Sequence, residues 1–228
     1  MIILALFRND DMSQLMTVGS QPIFLIIVFF LLSLLPIFVV IGTSFLKISI
    51  VLGILKNALG IQQVPPNMAL TSVSLILTIF IMSPIILQIN DNISQEPINY
   101  TDSDFFQKVD EKILSPYRGF LEKNTEKNNV EFFERAAQKK LGNETTLKKD
   151  SLFILLPAFT MGQLEAAFKI GFLLYLPFIA IDLIISNILL ALGMMMVSPV
   201  TISIPFKILL FILVGGWQKL FEFLLVVN

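Results

Sequence analysis

The sequence predicts an all-α membrane protein in which two apolar helical blocks flank one polar insertion. Three observations carry that prediction. Hydrophobic residues make up 55% of the 228-residue chain and charged residues 14%, with a mean hydropathy of +0.82; a soluble domain usually carries about 25% charge. The charges also partition sharply. Residues 21–90 hold only Lys47 and Lys56, and residues 151–228 hold six charges, whereas residues 91–150 hold twelve acids and ten bases. Finally, four stretches, residues 23–41, 68–89, 172–197 and 202–227, come close to the roughly 20 apolar residues that a bilayer crossing needs.

The elements follow in order. Residues 1–20 form an N-terminal segment in which Arg8 follows a short apolar run instead of preceding it, the wrong order for a signal peptide; Met1 and Met12 both fit as the start. Block one, residues 21–90, opens with a span interrupted by Pro36, whose missing backbone bond neighbouring helices must make good. An amphipathic stretch over residues 43–59 stops at Asn57 to Gly60, and Pro65-Pro66 separates it from the second span. The connector 42–67 carries two lysines and no acid, which puts it inside, the insertion outside and residues 198–201 inside again.

The insertion, residues 91–150, reads as a small solvated helical cap. Phe105, Val109 and Ile113 recur at helical spacing, Ser115-Pro116 starts a further helix, and Asn128-Asn129-Val130-Glu131 offers a capping box with Gly142 as a stop. Asn99-Tyr100-Thr101 and Asn143-Glu144-Thr145 match a glycosylation acceptor, a triplet that chance produces often. Block two, residues 151–228, begins with an amphipathic stretch over 151–170 that contains Pro157, Glu165 and Lys169. Two spans follow, the first broken by Pro177.

Composition excludes much chemistry. The chain has no cysteine and no histidine, so it lacks a disulfide framework, a thiolate metal site and the commonest general base. No enzyme activity, metal or cofactor is expected, and a net charge of −1 gives no support for nucleic-acid binding. A carboxylate at membrane depth costs roughly 2.5–3.5 kcal/mol on insertion scales, so Asp182 must face protein or water. With no companion acid or histidine, it reads as a structural cap or a hydrogen bond between subunits more readily than as a proton relay. Met194-Met195-Met196 ends the same apolar run. Unbranched thioether side chains adapt their shape, which suits either a deformable seal or the filling of a helix interface. Glu165 and Lys169 stand four residues apart, the spacing of a local ion pair. With Asp182, Lys169 is also read as a buried charge. A small-solute transporter or channel is the alternative class, with Lys47, Lys169 and Asp182 as its polar groups, although these are sparse.

Ordered blocks on both sides of the insertion resemble one family. In block one these are Lys56-Asn57-Ala58-Leu59-Gly60-Ile61-Gln62-Gln63 and Pro65-Pro66-Asn67. In block two they are Leu155-Leu156-Pro157-Ala158-Phe159, Ala167-Phe168-Lys169-Ile170-Gly171-Phe172, Leu176-Pro177-Phe178, Ile181-Asp182-Leu183, Ala191-Leu192-Gly193-Met194-Met195-Met196 and Ile204-Pro205-Phe206-Lys207. They resemble the FliP/SctR family from about Met12 onward, closest to its virulence-type, injectisome SctR branch. The resemblance implies bent helical hairpins that assemble as a ring or helical cone. Several copies, understood as five, would join SctS-like and SctT-like subunits, beside SctU-like and SctV-like components. Together they would form the type III secretion export gate, passing unfolded substrates across the bacterial inner membrane, with the insertion on the periplasmic side. Apolar faces would then meet sister subunits as well as lipid.

The same resemblance implies roles for single residues. Met194, Met195 and Met196 match the methionine loop that lines the constriction. Lys207 matches a lysine that pairs with a glutamate of a neighbouring subunit. That glutamate position is here Gln163, with Glu165 two residues on, so either Glu165 substitutes or Gln163 accepts the bond. Gly215-Gly216-Trp217 stands where the family often has Asp-Gly-Trp.

Overall fold

The computed structural model describes residues 22–61, 64–95, 104–141 and 150–226, and everything regular among them is helical. Residues 1–20, Gly142 and the triplets at Asn99 and Asn143 lie outside the described residues. α1 (Pro22–Gly42) and α2 (Phe45–Ala58) are two halves of one apolar rod, bent by 69°. The bend has a local cause. The Thr43 hydroxyl donates to the Val39 carbonyl and accepts the Phe45 N–H, competing with the helix for its own backbone. Carbonyls released at the bend are claimed from outside: Ile41 O accepts the Thr160 hydroxyl at 2.9 Å and Gly42 O accepts the Tyr117 hydroxyl at 2.8 Å. A Cβ at Gly42 would collide with the Tyr117 hydroxyl, so a larger residue there would have to push that hydroxyl aside.

α2 ends at Gly60, which adopts φ +75°, the left-handed cap that glycine takes without cost. α3 (Asn67–Gln95) packs against α2. Its Pro84 cannot donate to the Phe80 carbonyl, and the Ser83 hydroxyl donates there instead, at 2.7 Å. Ser74 and Thr78, buried on α3, return their protons to the Leu70 and Ser74 carbonyls. The two buried hydroxyls of this apolar helix are thus satisfied without water.

The insertion is built from α4 (Phe105–Val109), a π-helical turn (Asp110–Leu114), α5 (Ser115–Lys123) and α6 (Lys127–Leu141). The two helices expected on either side of Ser115 are one rod. Pro116 leaves the Lys112 carbonyl without its helical donor, and Asn92 of α3 donates to it at 3.3 Å. The capping box falls one residue inside α6, which already starts at Lys127.

α7 (Leu152–Ala191) is the spine: 40 residues, about 60 Å of helix. Residues 151–170 and 172–197 read as two segments, but the chain runs straight through Gly171. Ile54 of α2 lies so close to that bare backbone that a Cβ would run into it. The glycine permits close approach and stops nothing. α8 (Pro199–Leu213) returns along α7, and α9 (Gly216–Val226) turns away by 63° at Gly215, φ +67°.

Two apolar clusters hold these helices. Ile48, Val51, Leu52 and Leu55 of α2 meet Ala167, Ile170 and Phe178 of α7, Phe211 of α8, and Leu220 and Leu224 of α9. Met82, Phe120, Leu121, Leu155 and Phe159 seat the insertion on α3 and the start of α7. Each such side chain contributes about 1.5–3 kcal/mol by leaving water. The cap therefore sits at one end of α7, and its helices pack on the apolar blocks.

α3 and α7 are long and apolar enough to cross a membrane, and the two bent pairs raise the candidate spans to four. Large apolar side chains such as Phe29, Phe30, Phe80, Phe172 and Leu173 face outward. This is an all-α membrane protein. One expectation changes: residues 42–67 are not a one-sided connector. α2 lies within them and carries the chain from Tyr117 at Gly42 to Gly60, which meets Val200 and Ile204 beside the far loop. Lys47 and Lys56 stand toward opposite ends of α2, so counting them assigns no side.

Candidate functional site: a methionine tip above a buried ion pair

α7 ends in a fully bonded cap. Gly193 adopts φ +73°, the Met194 N–H donates to the Leu189 carbonyl at 2.9 Å, and the Gly193 N–H donates to Leu190 at 3.0 Å. This is the paired bonding of a Schellman motif, which satisfies carbonyls the helix end would orphan. The Met195 N–H then reaches the Gly193 carbonyl and the Val197 N–H reaches Met194. Pro199 opens α8 in its first turn. The backbone of the tip is fixed, yet its side chains stand out: Met194 is 45% exposed, Met195 80%, and Met196 wholly so. Within one chain the three methionines fill no helix interface.

Below the tip lies a network that joins α2, α7 and α8. Ser203 and Lys207 sit four residues apart, on one face of α8. The Lys207 ammonium lies 2.7 Å from Asp182 Oδ2 and donates to the Ala58 carbonyl at 3.0 Å. The Ser203 hydroxyl donates to Asp182 Oδ1. Lys207 is 2% exposed, and the Asp182 side chain 26%. The Ala58 carbonyl belongs to the last turn of α2, where the helix dipole favours a cation. One lysine thus neutralises the carboxylate of α7 and caps α2 from α8. This charge-assisted arrangement lets an ion pair sit among apolar helices.

Lys207 was expected to look toward Gln163 or Glu165 of another copy. Within the chain it pairs with Asp182, while Gln163 lies nineteen residues back along α7, about 28 Å of helix. Glu165 pairs with Lys169 at 2.8 Å, both of them exposed, so Lys169 is not the buried charge expected: its side chain faces outward and is answered by the acid one turn back. Gln163 is buried, and among the described residues neither its Oε1 nor Asn129 Nδ2 of α6 finds a hydrogen-bond partner. Lys169 and Asp182 are thirteen residues apart on α7, about 20 Å, so the polar groups a solute site would need do not converge. Among the described residues no trio of His, Cys, Asp or Glu side chains is placed to hold a metal. Sequence reading missed Ser203 and the Ala58 carbonyl. Spacing along α8 from Lys207 signals the former; no local pattern signals the latter.

The FliP family profile matches residues 28–224. The chain is 51% identical over 206 residues to virulence protein YscR of Salmonella typhimurium, covering 89% of this chain and 95% of that protein. It is 48% identical over 198 residues to Yop proteins translocation protein R of Yersinia pestis, covering 86% and 91%. It is 45% identical over 197 residues to surface presentation of antigens protein SpaP of Salmonella typhi, covering 82% and 88%. Because these matches run from α1 through α9 and include the capped tip and the ion pair beneath it, the protein belongs to the FliP family.

Proposed function

We propose that the chain is a core subunit of a type III secretion export apparatus. Several copies, five on the family's pattern, assemble with SctS-like and SctT-like subunits into a gated channel for unfolded proteins. SctU-like and SctV-like components adjoin it. The observation that carries this is the methionine tip: three flexible, uncharged side chains on a hydrogen-bonded backbone, Met195 and Met196 standing almost wholly clear of it and Met194 about half so. Repeated around an axis they form a compliant ring that closes against ions and yields to a passing polypeptide. The outward apolar faces of α1, α3, α7 and α8 support burial against sister copies and lipid. Relatives whose names denote virulence and Yop protein translocation support the injectisome branch.

The chain acts as a channel part and not as an enzyme. It sits in the bacterial inner membrane with the insertion, residues 91–150, on the periplasmic side between apolar blocks 21–90 and 151–228. Of Lys207, Gln163 and Glu165, the residues assigned to contacts between copies, the exposed Glu165 is the one a neighbour can reach; buried Lys207 and Gln163 act from within. Purification with its two small partners, followed by particle imaging, should give a ring with the methionines at its narrowest point. Replacing Met194, Met195 and Met196 together by alanine should leave that ring intact and raise its ion conductance several-fold. A solitary protomer, or an unchanged conductance, refutes the reading. A small-solute transporter gains no support from the scattered Lys47, Lys169 and Asp182.

A further inference from the structure

The corner at Gly215 leaves a groove of about 650 Å³ between α7, α8 and α9, within the usual volume of pockets that hold small ligands. Leu173, Leu174 and Pro177 form one wall, Leu210 and Val214 the back, and Phe223 closes one end. Gly216 keeps the corner tight, since a Cβ there would strike the Phe211 ring. The only charged residue on the lining is Lys219. It is exposed, and its ammonium makes no hydrogen bond or ion pair among the described residues.

α9 itself is two-faced. Leu220 and Leu224 are buried, while Trp217, Gln218 and Lys219 are exposed. A short helix turned across the end of an apolar one, with tryptophan and lysine at its rim, has the character of an element at the level of lipid headgroups. The groove thus offers an apolar trench with one cation at its mouth. Glu222, three residues on along α9 and exposed, is not among the lining residues, so Lys219 is the charge that the groove itself presents, and an anionic lipid with an apolar chain answers both parts. We propose that the groove holds one acyl chain of an anionic phospholipid, its phosphate on the Lys219 ammonium.

The inference needs only membrane embedding, so its test is independent of ring formation. The full-length protein, purified in mild detergent and stripped of lipid, is titrated with phosphatidylglycerol and separately with phosphatidylcholine, and bound lipid is counted by native mass spectrometry. Phosphatidylglycerol should bind in preference. Lys219→Gln should weaken it about fivefold, the equivalent of the roughly 1 kcal/mol that a basic residue contributes near an anionic lipid surface. Leu174→Trp, which fills the trench, should abolish retention of both lipids, with helicity and melting temperature unchanged. Equal binding of the two lipids, an unaltered affinity in Lys219→Gln, or efficient cross-linking of Leu173→Cys to another protein chain would each overturn the proposal.

Discussion

Removing the two ends of the Asp182–Lys207 pair should have unequal costs, and the inequality follows from burial. Asp182→Leu strands the Lys207 ammonium, 3% of whose side chain is exposed, against the single carbonyl of Ala58. Breaking a buried pair in this way costs about 3–5 kcal/mol. Lys207→Met leaves a carboxylate that is a quarter exposed and still bonded to Ser203, so water shares its charge. The loss is then nearer the weight of one hydrogen bond to a charged group, about 1.5–3 kcal/mol. Asp182→Leu with Lys207→Met places two apolar side chains of fitting size in the same space and should sit within about 1 kcal/mol of the parent protein, since such replacements are often neutral or stabilising. Equilibrium unfolding of the detergent-solubilised protein, run as a double-mutant cycle, measures all three. If Lys207→Met costs as much as Asp182→Leu, or if the double variant costs the sum of the singles, the pair does not act as described. A double variant that folds normally but assembles no ring would move the pair's role to the contact between copies.

Other predictions concern the hinge and the tip. Burial pushes the Tyr117 hydroxyl up to about 12 from its ordinary 10.0. Its folded value is raised, so its contribution is whole below about pH 10 and lost as pH climbs through 12. Hydrogen exchange in α5 should therefore rise in that alkaline window. Tyr117→Phe should lose about 1 kcal/mol at neutral pH, the weight of its bond to Gly42, and abolish the alkaline step; an unchanged step would mean that another group controls it. Gly193→Val forces a branched residue into φ +73°, a left-handed backbone that costs roughly 1–2 kcal/mol. Conductance of the assembled ring should rise although the methionines remain, and an unaltered conductance would show that the cap does not set the tip.

Helices were legible here because apolar runs of span length and mixed-charge stretches differ so plainly. Contacts between them were less so. Asp182 was recognisable as a carboxylate needing a partner, but Lys207 is a neighbour only once the chain has folded back. The signal that could have found it is symmetry about the turn: Asp182 lies twelve residues before Met194, and Lys207 twelve residues after Met195. In an antiparallel hairpin such residues come level. Gly171 misled for a related reason. A glycine between two apolar runs reads as punctuation, and its use as a landing place for Ile54 depends on a helix more than a hundred residues earlier. The lysine bias assigns no side, because α2 spreads its two lysines along its own length. Ser115-Pro116 announced a new helix, but Asn92 supplies the donor that Pro116 lacks and the rod continues, as Ser83 does at Pro84.

The unbroken course of α7 fixes its length to the residue. The cap grips one end through Leu155 and Phe159, and the methionines leave the other. Deleting a single amino acid between them would advance the far end by about 1.5 Å and swing it through about 100°, since a turn takes 3.6 residues. In the proposed ring, the three sulfurs would then point toward a neighbour or the bilayer instead of the axis. Exchanging an exposed side chain along this rod leaves both ends where they are; inserting or deleting a residue does not.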